Sequence, residues 1–358
     1  NKTYKKIAGQ YYSPFKVKEI LEEIDEIVAI NNLQFVEHNV NEKIGKDTIN
    51  LVFNIFEGEK ETVEKINIKG NTVTNETVIR GELLIDEGDP FTNINLEKSI
   101  SKIKARNIFK NVDYKISKGS ENNLKVIDIN VEESPTGEIS AGAGIGTSGG
   151  AVSFGVKENN WLGTGKAVEF QVDIDEESLA GVLSLTDPNY DFLGNSMNYF
   201  LKSESNDKPD QGYENSVVSA GIGTSFEQYN DLRVQLGSNF SYDDLRTLSS
   251  ASSSLKKQSG EFSEFAANYG FTYDKRNRAF MPTSGGITNF SQSFPIYADK
   301  SFMRNTFSHS TYKSLTDDIV GAGKIYLSTI NGLGSDDVRL SKRRNLSGKR
   351  LRGFEVVK

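Results

Sequence analysis

Two periodicities divide the chain. Up to about residue 134, two stretches place apolar residues every three to four positions; beyond it they recur every second position almost to the end. Residues 9–24 read GQYYSPFKVKEILEEI and residues 88–103 read GDPFTNINLEKSISKI. At an offset of 79, Gly9 meets Gly88, Tyr12 meets Phe91, Val17 meets Leu96, Leu21 meets Ile100 and Ile24 meets Ile103. That spacing predicts two helices, each with one buried face, and Ser13 and Thr92 stand where their N-caps belong. Two short strands come after each helix, near Leu33–Val40 and Thr48–Phe56, then near Val112–Ser117 and Leu124–Val131. Only the second copy has a preceding strand (Val63–Lys69) and a short helix (about Asn75–Leu83), which makes it β-α-α-β-β over residues 59–134. The first copy, residues 1–58, is expected to be incomplete at its N-terminus.

From residue 135 onward, two-residue alternation dominates. Leu232, Val234, Leu236, Phe240 and Tyr242 fall on one face of a strand, with Arg233, Gln235, Asn239 and Ser241 on the other. Residues 168–174 repeat the pattern without a fault. A helix would scatter these residues around its circumference. The pattern predicts about eleven strands, most reaching the roughly 9–11 residues that cross a bilayer with tilt. Tight turns such as Thr147-Ser148 alternate with stretches read as long polar loops, Glu204–Glu214 and Asp243–Ser259. A soluble β-sandwich or β-solenoid is the competing fold, but sandwiches usually use shorter strands with fewer aromatics on their apolar faces. The expected fold class is therefore α+β repeats followed, over residues 135–358, by an antiparallel transmembrane β-barrel incomplete at its C-terminus.

Composition narrows the chemistry. No run of eighteen apolar residues occurs, which excludes transmembrane helices and leaves a barrel untouched. With 32 Gly, 21 Phe and 14 Tyr against a single Trp, the chain suits strands, turns and aromatic girdles. There are no cysteines, so disulfides and thiolate chemistry are excluded. The net charge of -7 argues against nucleic acid as the main partner. His38 and His309 have no ligand-like spacing. Gly144-Ile-Gly146-Thr-Ser-Gly149 matches G-x-G-x-x-G, but residues 151–156 read as a strand rather than the helix that dinucleotide binding needs. No cofactor and no enzymatic activity are expected.

Three sets of residues stand out instead. In the first barrel strand, Glu138, Ser140, Gly142, Gly144 and Gly146 form one alternating set whose glycines weaken packing. A seam that can open and a simple close approach of backbone are equally good readings of it. Val112, Tyr114 and Ile116 mark the strand that offers the best open edge of the second repeat for pairing with extended peptides. Lys342, Arg343, Arg344, Lys349, Arg350 and Arg352 cluster in the terminal loop. Contact with phosphate or lipopolysaccharide, a solvated loop, or a loop folded into the lumen against acidic wall residues would each account for them.

Asn160-Trp161-Leu162-Gly163-Thr164-Gly165, Asp187-Pro188-Asn189-Tyr190 and Leu351-Arg352-Gly353-Phe354 occur in this order after the two repeats. Together they resemble the BamA family, whose periplasmic repeats are POTRA domains. The resemblance implies a barrel of about sixteen strands, with Leu351, Arg352, Gly353 and Phe354 in the sixth extracellular loop and the acidic partners of Arg352 on later strands. It also implies residence in the outer membrane of a Gram-negative bacterium, with the POTRA domains in the periplasm. Expected partners are unfolded outer-membrane proteins, accessory lipoprotein subunits and outer-membrane lipid. The implied function is assembly of substrate β-barrels; the alternative is a two-partner secretion or TamA-type translocation protein that exports unfolded chains.

Overall fold

The computed structural model describes residues 8–9, 11–30, 36–46, 48–57, 61–146, 149–209, 212–249, 251–316 and 319–343. Its two compact units divide between Pro135 and Thr136.

In the first unit, α1 (Pro14–Ile30) begins on a proline, whose missing N–H is no loss in a first turn. It precedes an antiparallel pair, β1 (Val36–Ile44) and β2 (Ile49–Glu57). His38 Nε2 lies 2.5 Å from Asp25 Oδ1, which ties β1 to α1. The second repeat comprises β3 (Thr62–Lys69), α2 (Glu76–Arg80), α3 (Asn93–Ala105), β4 (Phe109–Lys118) and β5 (Leu124–Glu133). Its sheet runs β3-β5-β4, with β3 parallel and β4 antiparallel to β5. Thr92 caps α3, its hydroxyl accepting the Asn95 N–H at 3.3 Å. Leu96, Ile100 and Ile103 then bury one helical face against Val63, Ile66, Ile127 and Ile129. Each such side chain contributes about 1.5–3 kcal/mol.

The short helix α2 stops at Arg80, three residues before its expected end. Buried Glu82 pairs there with Arg106 (3.3 Å) and Lys102 (3.8 Å), which turns the chain toward α3. After β3 the chain reverses at Gly70, whose φ is +93° and where a Cβ would lie 1.9 Å from the Val131 carbonyl oxygen. Only glycine fits that approach. The next residues converge on one carboxylate: Glu133 accepts the N–H groups of Thr72 (3.0 Å), Val73 (3.0 Å) and Thr74 (2.6 Å) and the Thr72 hydroxyl (2.6 Å).

The second unit is an eleven-stranded antiparallel meander in which every described strand pairs with its neighbours in sequence. The strands are β6 (Gly137–Gly146), β7 (Gly149–Glu158), β8 (Ala167–Asp175), β9 (Ser178–Asp187), β10 (Ser196–Lys208), β11 (Tyr213–Tyr229), β12 (Leu232–Thr247), β13 (Gly260–Asp274), β14 (Ser284–Ala298), β15 (Phe302–Ser314) and β16 (Val320–Gly332). Alternation along each strand sorts the side chains onto two faces. Phe170, Leu183, Leu201, Ala220, Phe240, Phe265 and Tyr297 form one row across seven strands. Its six large side chains are all exposed. The adjacent row on the opposite face reads Gln171, Val182, Lys202, Ser219, Ser241 and Glu264. An apolar band of that extent would be a liability in water, and it is what the lipid-facing wall of a barrel requires.

Two sequence expectations need correction. The segment 204–214 is not a long loop: β10 continues to Lys208 and β11 resumes at Tyr213. Similarly, β12 runs to Thr247, so Asp243 sits inside a strand. Hydrophilic residues there keep the two-residue alternation and pair across the inner face, so polarity alone misplaces the loop boundaries. The G-x-G-x-x-G stretch spans the end of β6 and the start of β7, and β7 is a strand where a helix would be needed to hold a pyrophosphate.

Candidate functional site

β6 is one edge of the large sheet and β16 the other. Hydrogen-bond parity decides which β6 residues offer main-chain groups to a new strand. Asn159 N–H donates to the Thr136 carbonyl at 3.2 Å, in register with the β6–β7 pairing. Alternation from Thr136 therefore turns the main chain of Glu138, Ser140, Gly142, Gly144 and Gly146 toward β7. Ile139, Ala141, Ala143 and Ile145 carry the edge groups that face away. The sequence-derived set lies on β6, with its main-chain groups turned toward β7 rather than toward the open side. Those five residues face the inner wall, opposite Lys157, Gly155, Ser153, Ala151 and Gly149. A Cβ added at Gly142 or Gly144 would meet nothing within 4 Å, so close approach does not require glycine at either position.

β4 is one edge of the three-stranded sheet, β3 being the other, and among the described residues β4 pairs with β5 alone. Gly119 N–H donates to the Leu124 carbonyl at 2.8 Å, in register with that hairpin. The same parity turns the main chain of Val112, Tyr114 and Ile116 away from β5, toward the open side. Their side chains differ: Val112 is buried in the core, Ile116 is half-buried against it, and Tyr114 is exposed.

The stretch after β16 packs against the inner wall. Buried Arg339 lies 3.4 Å from both Asp243 Oδ2 and Glu264 Oε2, on β12 and β13. Its guanidinium carbon sits 4.7 Å from the Phe262 ring centroid and 5.7 Å from that of Phe302. Ser341 Oγ donates to Asp243 at 2.8 Å, and Lys342 Nζ stands 3.8 Å from it. Asn215 Nδ2 reaches the other Asp243 oxygen at 2.9 Å, and Asn206 Nδ2 reaches Asn215 Oδ1 at 3.2 Å. Asn206 also donates to Glu204, which binds Lys202. One polar chain therefore runs from β10 to β13 and clamps the post-β16 segment. Lower on the same face lies a cavity of about 580 Å³ lined by polar residues such as Asn198, Asn239, Asn268 and Ser291, suited to water. Leu351, Arg352, Gly353 and Phe354, with Arg344, Lys349 and Arg350, lie outside the described residues. Among the described residues no group of three or more metal-ligating side chains converges.

Comparison with known proteins places this geometry. The Omp85 superfamily domain matches residues 160–358, more than half of the chain. The chain belongs to the Omp85 superfamily. Residues 61–134 match a POTRA family described as a surface antigen variable number repeat. Outer membrane protein assembly factor BamA of Neorickettsia risticii is 28% identical over 86% of this chain, and that of Neisseria meningitidis 25% over 82%. This Omp85 chain spans 42% and 39% of the lengths of those relatives. The crystal structure of BamA from Haemophilus ducreyi lacking POTRA domains 1–3 superposes with a TM-score of 0.69 at 22% identity, covering 92% of this chain and 67% of that one. CdiB from Acinetobacter baumannii reaches 0.53 at 11% identity, covering 97% and 66%. At such identities the likeness is one of fold.

A loop folded against acidic wall residues is one of the three accounts of the basic cluster, and among the described residues Lys342 of that cluster stands against Asp243 together with Arg339. Arg339 lies upstream of the basic cluster that the sequence singles out. Asp243 falls in a stretch whose polarity reads as loop, and Glu264 blends into the general acidic background. Both acids fall on inner-face positions of alternating strands, and a charge there is the signal that could have singled them out.

Proposed function

We propose that this chain is the membrane-embedded core and adjoining POTRA region of an outer-membrane β-barrel assembly factor. The observation that carries the reading is a pair of open strand edges, β4 in the POTRA repeat and β6 in the barrel sheet, each with its outward main-chain groups defined by parity. The relatives named as BamA support it. In this reading the protein sits in an outer membrane with its POTRA repeats in the periplasm. Its partners are unfolded outer-membrane proteins, accessory lipoprotein subunits and lipid.

The work needs no cofactor and no covalent step. An unfolded strand entering hydrocarbon exposes N–H and C=O groups that cost several kcal/mol each when unpaired. Pairing first on β4 and then on the outward groups of Ile139, Ala141, Ala143 and Ile145 lets the strand exchange water for protein partners without crossing that penalty. The Arg339 clamp holds β12 and β13 to the post-β16 segment while the β6 edge exchanges partners. Arg352 is proposed as a second brace in the same loop.

The test uses the full-length protein in liposomes, given a urea-unfolded porin with a periplasmic chaperone. Folded, heat-modifiable porin should form faster than in empty liposomes. Ion flux without faster folding would move the assignment to an exporter.

A further inference from the structure

The antiparallel meander puts five turns at one rim, the rim at which β6 begins: 159–166, 188–195, 230–231, 275–283 and 315–319. Four of them, 159–166, 188–195, 275–283 and 315–319, carry large apolar side chains that the fold leaves in the open. Leu162 is 78% exposed, Phe192 64% and Met281 66%. Their neighbours Leu193 and Phe280, and Leu315 in the last turn, are exposed as well. The described turns of the opposite rim contrast with these, with Glu176-Glu177, the Ser-rich segment 248–259 and Asp299-Lys300-Ser301.

The exposure is built into the turns. Leu162, Phe192 and Met281 have φ of +52°, +62° and +48°, a region that bulky side chains rarely adopt. In each turn one asparagine holds the stem: Asn160 Oδ1 accepts the Gly165 N–H at 2.8 Å and Asn189 Oδ1 the Gly194 N–H at 2.7 Å. Asn277 Oδ1 accepts those of Thr283 and Ser284 at 3.1 and 3.2 Å. Ion pairs then join neighbouring turns, Lys166 to Asp187 at 3.2 Å and Lys275 to Asp231 at 2.5 Å. The same device, an asparagine-closed loop with an apolar tip at left-handed φ, occurs three times on one rim and not in the described turns of the other.

We propose that these turn tips form a collar that enters the interfacial layer of phospholipid, between headgroups and acyl chains, and sets the depth of the barrel in the membrane. The outward apolar face of the strands continues to this rim, so the tips extend a lipid-facing surface rather than start an isolated patch. Apolar tips flanked by Lys166, Lys275 and Arg278 match a layer that presents hydrocarbon on one side and phosphate on the other. The inference rests on the membrane-spanning reading of the sheet.

Trp161, the only tryptophan in the 358 residues, lies in the first of these turns and is partly exposed. Its fluorescence reports the depth of that turn directly. The experiment uses the full-length protein, with any tryptophan outside these residues changed to phenylalanine. It is refolded in phosphatidylcholine–phosphatidylethanolamine vesicles containing phosphatidylcholine brominated either near the headgroup or near the chain ends. Emission should be blue-shifted and shielded from acrylamide, with at least about twofold stronger quenching by the shallow bromines, as for an interfacial aromatic. Phe192→Trp in a Trp161→Phe background should behave alike. Protein that floats with the vesicles and is heat-modifiable, yet has water-like and bromine-insensitive emission, would overturn the collar alone. Protein that neither floats nor shows a heat-modifiable form would overturn the membrane reading and the collar together.

Discussion

At the residue scale, two charge clusters bear the most weight. Glu133 is opposed by burial, yet hydrogen bonds from Thr72, Thr74 and Val73 outweigh that and hold its carboxyl down to about 2 from 4.5. A depressed carboxylate contributes stability above its unfolded pKa and loses it as pH falls through the folded value. Amide exchange over residues 70–76 should therefore quicken as pH is lowered from about 4.5 toward 2, after correction for intrinsic rates, and Glu133→Gln should remove that dependence. The Arg339 cluster makes a different prediction. Arg339→Ala leaves Asp243 and Glu264 buried beside each other without their guanidinium. Loss of one partner in such a group costs about 3–5 kcal/mol. The folded barrel should lose its heat-modifiable form at a markedly lower temperature, and a charge-matched Arg339→Met with Glu264→Gln should recover part of the loss. Neither cluster was legible in the sequence. Asp243 and Arg339 are 96 positions apart; the register of β12 and β13 sets Asp243 beside Glu264, and the stretch after β16 carries Arg339 to them.

At the element scale, alternation made the strands legible and parity did not. The eleven strands arise from two-residue patterning, because one face must be apolar and the other polar. Which main-chain groups remain free depends on the hydrogen-bond phase of each hairpin, and no side-chain pattern encodes it. The phase yields a paired test. Ala141→Pro removes a donor from the free edge of β6, so porin folding should slow while the sheet keeps its thermal stability. Ser140→Pro instead breaks the ladder to β7 and leaves a carbonyl partner unpaired, at about 1–3 kcal/mol, and should lower stability. Equal effects of the two on stability would contradict the assigned phase. In the POTRA repeat, Tyr114→Pro removes an edge donor without breaking the β4–β5 ladder, and should weaken docking of extended substrate while the repeat melts normally.

At the scale of the whole molecule, the barrel unit joins an apolar outer wall, a polar inner wall clamped by the post-β16 segment, and an edge strand with a defined set of unpaired groups. The clamp ties the far part of the sheet to the post-β16 segment, and the proposed function places strand exchange at the β6 edge. The central claim is that an incoming strand pairs with β6. Because the 358 residues contain no cysteine, single cysteines can be introduced into the full-length protein once any cysteine outside these residues is changed to serine. The decisive measurement is disulfide capture, in membranes, between a stalled porin carrying a cysteine in its terminal strand and full-length protein with cysteine at Ala141 or Ala143. Cysteine at Val172, on a strand paired on both sides, serves as the control. Pairing on β6 predicts capture at Ala141 and Ala143 that shifts in register with the porin cysteine, and none at Val172. Faster porin folding with no capture on β6, or equal capture at Val172, would contradict it.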